Sequence, residues 1–264
     1  MTGATDITYF NLALGFLLMA IPIAIFAYYK TGLVKSTIIS VVRMTIQLFL
    51  VGFYLKYVFA WDKWWLNLLW GIVMMVVAAI TIGNRSNMKR SLFIFPIFTA
   101  LLISMIIVDG FFIGIVIKLD NVFAAMYFIP ITGMILGNCL RSNVIALNSF
   151  YKTLNKDRTM YRFYIANGAT REEALRPFMR ESLRISFNPT IANTAVIGLI
   201  SLPGMMTGQL LGGSTPDIAI KYQIMLVITI FVASIITVFL TIKIVNRFVF
   251  DKYDRLKAHL FNFK

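Results

Sequence analysis

The chain has 264 residues, 59% of them hydrophobic and 14% charged, with a mean hydropathy of +0.81. Soluble domains carry about 25% charged residues, so this composition excludes an ordinary soluble domain and points to a membrane protein. The net charge of +14 would suggest nucleic acid, but the Lys and Arg lie between apolar stretches, as the positive-inside rule requires, and no nucleic-acid partner is expected.

The N-terminal MTGATDITYF has neither a basic leader nor a small-residue cleavage site, so the first apolar stretch is expected to stay as a span. A spanning helix needs roughly 20 mostly apolar residues. Seven stretches qualify, at about 9–29, 36–57, 65–83, 92–117, 122–148, 185–201 and 218–242. With the N-terminus outside, nineteen of the 25 Lys and Arg fall on inner segments, four on outer ones, and Arg43 and Arg141 within spans. That split predicts an N-terminus outside and a C-terminus inside. Trp61, Trp64, Trp65 and Trp70 gather at the outer end of span three, where an aromatic belt belongs. The predicted fold is all-α: one polytopic membrane domain over 1–264 with about seven spans.

Span two carries Arg43 and Gln47, four residues apart and so on one helix face. They read either as an interfacial arginine with a packing glutamine, or as a gate or subunit contact lining a pathway. Asp109 is the one acid well inside a span; it either attracts a cation or pairs with a lysine such as Lys118. Span five holds Thr132, Asn138, Cys139, Arg141 and Asn143, and Gly133 with Gly137 forms a G-x-x-x-G spacing that favours close helix approach. The single cysteine, Cys139, excludes an internal disulfide.

The stretch 151–184, YKTLNKDRTMYRFYIANGATREEALRPFMRESLR, is the one long polar segment and carries eight Lys or Arg. Thr170-Arg-Glu-Glu173 matches a capping box, and Gly168 suits a left-handed helix end. Pro177 is expected to stop or kink the helix that begins there. The spacing thus predicts a short helix over about 171–176, with Ala174 and Leu175 as a small apolar surface, followed by a new helix entering span six. An amphipathic loop on the inner leaflet is the plainer alternative. The later segment SLPGMMTGQLLGGSTP (201–216) breaks or tightly packs a helix near the outer side. Its Met205, Met206 and Gln209 either touch substrate or shape an outer gate; thioethers favour Cu(I) over Fe(II). The tail FDKYDRLKAHLFNFK reads as an interfacial anchor.

Four pieces occur in a characteristic order: RMTIQLFLVG (43–52), IPITGMILGN (129–138), NGATREEA (167–174) and VIGLISLPGMMTGQLLGG (196–213). On these the chain resembles the FetB-type permease family of ABC transporters, which includes bacterial iron exporters and plant aluminium-tolerance permeases. The resemblance runs from roughly Leu33 to Asp251. It implies a transmembrane subunit that forms a homodimer in the lipid bilayer and pairs with two copies of a separate FetA-type ATP-binding subunit. The chain would then hold no cofactor, ATP being bound by that partner. Gly168, Ala169, Thr170, Glu172, Glu173 and Ala174 would occupy the place of the coupling helix that such permeases insert into the ATPase. Arg43, Gln47, Asp109, Asn138, Met205, Met206 and Gln209 are the candidate pathway residues; the metal ligands, if any, are not identified. The implied cargo is a metal, iron above all, while the residues equally suit an organic cargo such as a nucleotide sugar, or an ATPase-driven scaffold that transports nothing. An intramembrane enzyme is not expected: the one histidine, His259, lies in the tail, and G-x-S-x-G and paired carboxylates are absent from the sequence.

Overall fold

The computed structural model describes residues 6–86, 90–200, 202–251, 253–257 and 260–261. Lys89, Ser201 and His259, which entered the sequence reading, lie outside the described residues. Six helices among the described residues are long and apolar enough to cross a membrane. They are α1 (Tyr9–Tyr28), α2 (Val34–Trp61), α3 (Trp64–Arg85), α4 (Arg90–Asp109, continuing to Ile117 as a π-helix), α5 (Ala125–Lys156) and a last helix, Pro216–Val249. Between α5 and that last helix lie α6 (Arg158–Ala166), α7 (Arg171–Val196) and α8 (Gly204–Leu211), so the last helix is α9. The protein is a helical, multi-pass membrane protein.

The core is formed by α3, α4, α5 and α9, with the first half of α7 against α5. On α3 the residues facing it are small or slender: Gly71, Met75, Ala78, Ala79 and Ile82. Polar side chains then tie the helices together. The Asp109 carboxylate on α4 accepts from Thr132 Oγ1 on α5 at 2.8 Å. Asn143 Nδ2 on α5 donates to Thr237 Oγ1 on α9 at 3.1 Å. Ser104 Oγ donates to the Ala233 carbonyl at 3.2 Å, and Ser182 Oγ to the Ala146 carbonyl at 2.8 Å. Such bonds are worth about 0.6 kcal/mol each in a bilayer; their larger effect is to fix register, because an unpaired polar group has no water to turn to there.

At the tryptophan end, Asp62 closes α2 in a left-handed conformation at φ 36°. Its Oδ1 accepts from Asn67 Nδ2 at 2.9 Å and from the Ala125 backbone N–H at 2.8 Å. Asn67 Nδ2 also donates to the Phe123 carbonyl at 2.8 Å. One carboxylate therefore joins the starts of α3 and α5. The Lys and Arg concentrate at the opposite end of the bundle, the basic end.

Two expectations about the loop and span six need correction. The stretch 185–201 does not form a helix of its own and is not among the six apolar helices; residues 185–196 are the second half of α7, which runs without a break from Arg171 to Val196. Pro177 does not end the helix. Ala174, Leu175 and Phe178 are buried on both sides of it. The carbonyl that loses its donor belongs to Glu173, an exposed residue where water can replace the bond. Hydropathy underrates α7 because its first half carries Arg171, Arg176, Arg180 and Arg184. Yet its side chains follow α9: Glu172 meets Lys243 at 3.7 Å and Phe187 stacks on Phe231 with centroids 5.8 Å apart.

Close helix approach is also not where the G-x-x-x-G spacing suggests. A side chain at Gly137 would meet open space, and one at Gly133 only Met74 Sδ at 3.9 Å. At Gly71 on α3 a Cβ would lie 2.9 Å from the ring of Phe128. Gly71→Ala is therefore expected to destabilise by about 1–3 kcal/mol through overpacking, read as a lowered melting temperature in detergent. Gly137→Ala should leave that temperature unchanged.

Candidate functional site

The turn between α6 and α7 is built by two complementary helix ends. At the end of α6 the Gly168 N–H donates to Ile165 O at 3.1 Å and the Ala169 N–H to Tyr164 O at 3.0 Å. This closure needs a left-handed residue, and Gly168 supplies it at φ 87°. Thr170 then caps α7. Its Oγ1 accepts from the Glu173 N–H at 3.3 Å, and the Glu173 carboxylate accepts from the Thr170 N–H at 2.8 Å and the Thr170 hydroxyl at 2.7 Å. These bonds, the hydroxyl first, hold the Glu173 carboxyl below the usual glutamate range. The sequence reading of Gly168, Thr170 and Glu173 thus finds its geometry here.

Exposure divides the segment. Gly168, Thr170, Glu172 and Glu173 are exposed and Ala169 half-buried, whereas Ala174 and Leu175 are buried against the chain itself. The small apolar surface expected to await a partner is already covered, so Ala174 is not offered to one. Nor is the tail simply an anchor. It folds back, with Phe250 bridging to Leu256. Asp254 ion-pairs with Arg171 at the first turn of α7. The Tyr161 hydroxyl on α6 donates to the Asp254 carbonyl at 2.9 Å, and burial beside the Asp254 carboxylate pushes Tyr161 up to about 12. The guanidinium of Arg171 also covers the Phe250 ring at 5.3 Å. This brace was not legible in the sequence: Asp254 and Arg171 are 83 residues apart.

The candidate pathway residues separate into covered and uncovered. Asp109 is buried, 5% exposed, and engages Thr132 rather than Lys118. Asn138 is half-buried and donates to the Met134 carbonyl of its own helix at 2.9 Å. Met206 is buried; Met205 and Gln209 are half-buried on α8, a short helix begun by Pro203 and closed by Gly212 and Gly213, which packs on α9. The glycines and prolines of 201–216 thus bound a separate small helix. Arg43 and Gln47 are exposed. They share a face of α2 with Tyr54, which stacks on Trp70 at 4.6 Å, and with buried Val58. The face that packs on the body near the tryptophan end is uncovered nearer the basic end, so α2 stands away from the body there. Arg43 lies nine residues from the start of α2, about 13 Å along the axis. On α5, Gly137 and Arg141 form an exposed strip with Asn138 at its edge. Arg141 is seven residues, about 10 Å, from Asn148, which bonds the last carbonyl of α3. Sequence reasoning noted Arg141 without choosing it; its four-residue spacing from Gly137 was the available signal. Among the described residues no three His, Cys, Asp or Glu side chains come together as a metal cluster.

Comparison with known proteins gives the family. The uncharacterised protein family UPF0014 matches residues 9–250. The chain is 33% identical over 243 residues to the "Probable iron export permease protein FetB" of Escherichia coli, covering 90% of this chain and 92% of that one. It is 28% identical to the UPF0014 membrane protein YjkA of Bacillus subtilis, over 95% of this chain and 99% of the relative. It is also 28% identical to the protein ALUMINUM SENSITIVE 3 of Arabidopsis thaliana, over 85% and 81% respectively. No solved structure matches.

The cap makes two expectations. Thr170→Ala should cost about 1 kcal/mol of local helix stability and speed amide exchange at 171–174. Because the folded carboxyl of Glu173 sits below its unfolded value, the cap's contribution is present above the unfolded value and lost as pH falls through the folded one. Exchange at those amides should thus be insensitive to the carboxyl at neutral pH and rise only in acid, below about pH 4; Glu173→Gln should remove that acid step.

Proposed function

The chain belongs to the UPF0014 family, and from that premise we propose that it is the membrane-spanning permease subunit of an ABC exporter, with iron as the cargo class. ATP is bound and hydrolysed by a separate FetA-type subunit; the permease itself catalyses nothing. The observation that carries this reading is the capped turn at 167–173. It presents Gly168, Thr170, Glu172 and Glu173 as a rigid, exposed knob at the basic end, which the positive-inside rule assigns to the cytoplasm. A soluble motor needs such a surface: firm enough to transmit force, uncovered enough to be gripped. The name of the E. coli relative supports the iron part.

A homodimer is supported by what the single chain leaves bare. Along α1 and the first part of α2 no residue is buried, and every residue of 191–200 is exposed. The bare part of α7 includes Asn188, Asn193 and Thr194, which are poor lipid-facing residues. A second copy covering α2 and the end of α7 would shelter them. Co-expressed Gln47→Cys and Asn193→Cys chains are expected to form a disulfide-linked dimer on non-reducing gels, since the native Cys139 is buried; monomers alone under oxidation would count against this arrangement.

A second cargo reading is favoured by Arg43 and Arg141. An arginine facing lipid at this depth costs about 3 kcal/mol, and rings of Arg or Lys mark pores for anions and phosphates. The uncovered charges at membrane depth are thus basic, while the one intramembrane acid, Asp109, is buried, one of its oxygens bonded to Thr132 and the other without a partner among the described residues. This favours an anionic organic cargo, such as a nucleotide sugar, or iron carried as an anionic chelate.

Reconstitution of the chain with its ATP-binding subunit in liposomes tests the proposal. ATP-dependent movement of iron or of a sugar nucleotide is expected. ATPase stimulation with neither flux would instead support a scaffold. Glu173→Lys should insert normally but abolish stimulation of the ATPase. Unchanged stimulation would remove 167–173 as the coupling surface.

A further inference from the structure

A groove of about 490 Å³ opens between the start of α7 and the end of α9. Of the exposed turn only Glu172 reaches it, and its polarity follows the bilayer. Its level can be read from hydrogen bonds. Asn148 on α5 bonds the carbonyl of Arg85, where α3 ends. Asn148 lies between Asn143 and Tyr151, which bond Thr237 and Asn246 of α9. Lys243, between those two, therefore sits where α3 leaves the apolar layer. Phe239 is one turn deeper and Arg247 one turn further out, each about 6 Å away. The groove is apolar on the membrane side, at Phe239 and Met179, while its other side carries Arg171, Arg176, Lys243 and Arg247 against the two carboxylates of Glu172 and Asp254.

The charges do not cancel. Arg171 is held by Asp254. Lys243 approaches Glu172 at 3.7 Å, but the two side chains are 50% and 84% exposed, and such a pair is worth little. Among the described residues Arg176 and Arg247 have no ion pair, and both are exposed. Two guanidiniums without ion pairs, and the Lys243 ammonium 5.7 Å over the Phe239 ring, surround a cleft whose floor is that aromatic ring and a thioether. Guanidinium is the group best shaped to take phosphate oxygens in pairs, and basic pockets between spanning helices on the cytoplasmic side suit anionic headgroups.

We propose that this groove binds the headgroup of one anionic phospholipid from the adjacent leaflet, its phosphate on Arg176, Lys243 and Arg247 and the start of its acyl chain along Phe239 and Met179. The bound lipid bridges α7 to α9 within a turn or two of the exposed knob, so it stiffens the base of the lever on which the knob stands. The site needs the basic end to face an anionic leaflet. It does not depend on the cargo or on the ATPase.

The test uses the purified full chain in nanodiscs of phosphatidylcholine with added phosphatidylglycerol, and native mass spectrometry of the lipid that stays bound. Wild-type protein should retain phosphatidylglycerol over phosphatidylcholine. Arg176→Gln and Arg247→Gln should each weaken retention about fivefold, and the double variant about twenty-five-fold. Arg180→Gln, outside the groove, should change nothing. Arg176→Lys and Arg247→Lys should retain the lipid, which separates lost charge from damaged folding. Equal retention by wild type and the double Gln variant overturns the proposal. So does loss in the Lys variants as deep as in the Gln variants, or displacement of the lipid by millimolar inorganic phosphate, which would mark a site for a free anion.

Discussion

The constraint on which the basic end depends is that four residues, 167–170, must reverse the chain and satisfy their own backbone without being buried. A helix C-terminus and a helix N-terminus each leave several polar groups unpaired. Here Gly168 admits the left-handed step that pairs the carbonyls of Tyr164 and Ile165, and Thr170 with Glu173 pairs the amides. Each half depends on its residues: a β-carbon at φ 87° is strained, and without the carboxylate the Thr170 N–H loses its acceptor. Because the turn is closed by local bonds, it needs no cover. That is the physical reason a rigid element can stand exposed at the end of a membrane protein.

Rigidity of the turn would mean little if its base moved freely. Arg171, the first residue of α7, is held by Asp254 and stacked on Phe250, while Tyr161 reaches the same stretch from α6. The tail therefore clamps both helices that flank the turn. Further in, Ser182 is tied to Ala146, and the core helices are tied to one another by Asp109–Thr132 and Asn143–Thr237. Polar residues in this protein fall into two classes. Those between α4, α5, α7 and α9 are spent on register. Those on α2 and on the uncovered strip of α5, Arg43, Gln47 and Arg141, make no hydrogen bond or ion pair with the core among the described residues, and it is there that a pathway or a second copy has room.

The sequence was most legible where the signal was local. The starts of α1 to α5 and α9 followed from hydropathy to within three residues, although α5 and α9 run on past the expected ends at 148 and 242 to Lys156 and Val249, and the turn followed from Gly168, Thr170 and Glu173, since caps are written in contiguous residues. It was least legible where one local signal was outvoted by packing. Pro177 ordinarily ends a helix, but burial of Ala174, Leu175 and Phe178 carries α7 through it. Ala174 looked like free surface because nothing nearby in the chain announces what covers it. Asp109 looked like a cation site or a partner of Lys118, and its real partner, Thr132, is on the next helix. The close contact of α3 with α5 was missed because one glycine, Gly71, makes it without a repeating pattern.

Continuity through Pro177 has a mechanical consequence for the transport reading. A helix broken at residue 177 would absorb a push on the knob as a local bend. An unbroken α7 of 26 residues is about 39 Å long, so a tilt of about 5° about its packed middle carries its far end, about 15 Å beyond, by roughly 1 Å. That end holds Asn188, Asn193 and Thr194, beyond the buried anchor at Ser186 and Phe187. Ser182, Ser186 and Phe187 lie near its middle and are packed on the core, which makes them the fulcrum rather than the load. Movement at the basic end is then delivered to the far end of α7, whose residues 191–196 the core leaves exposed.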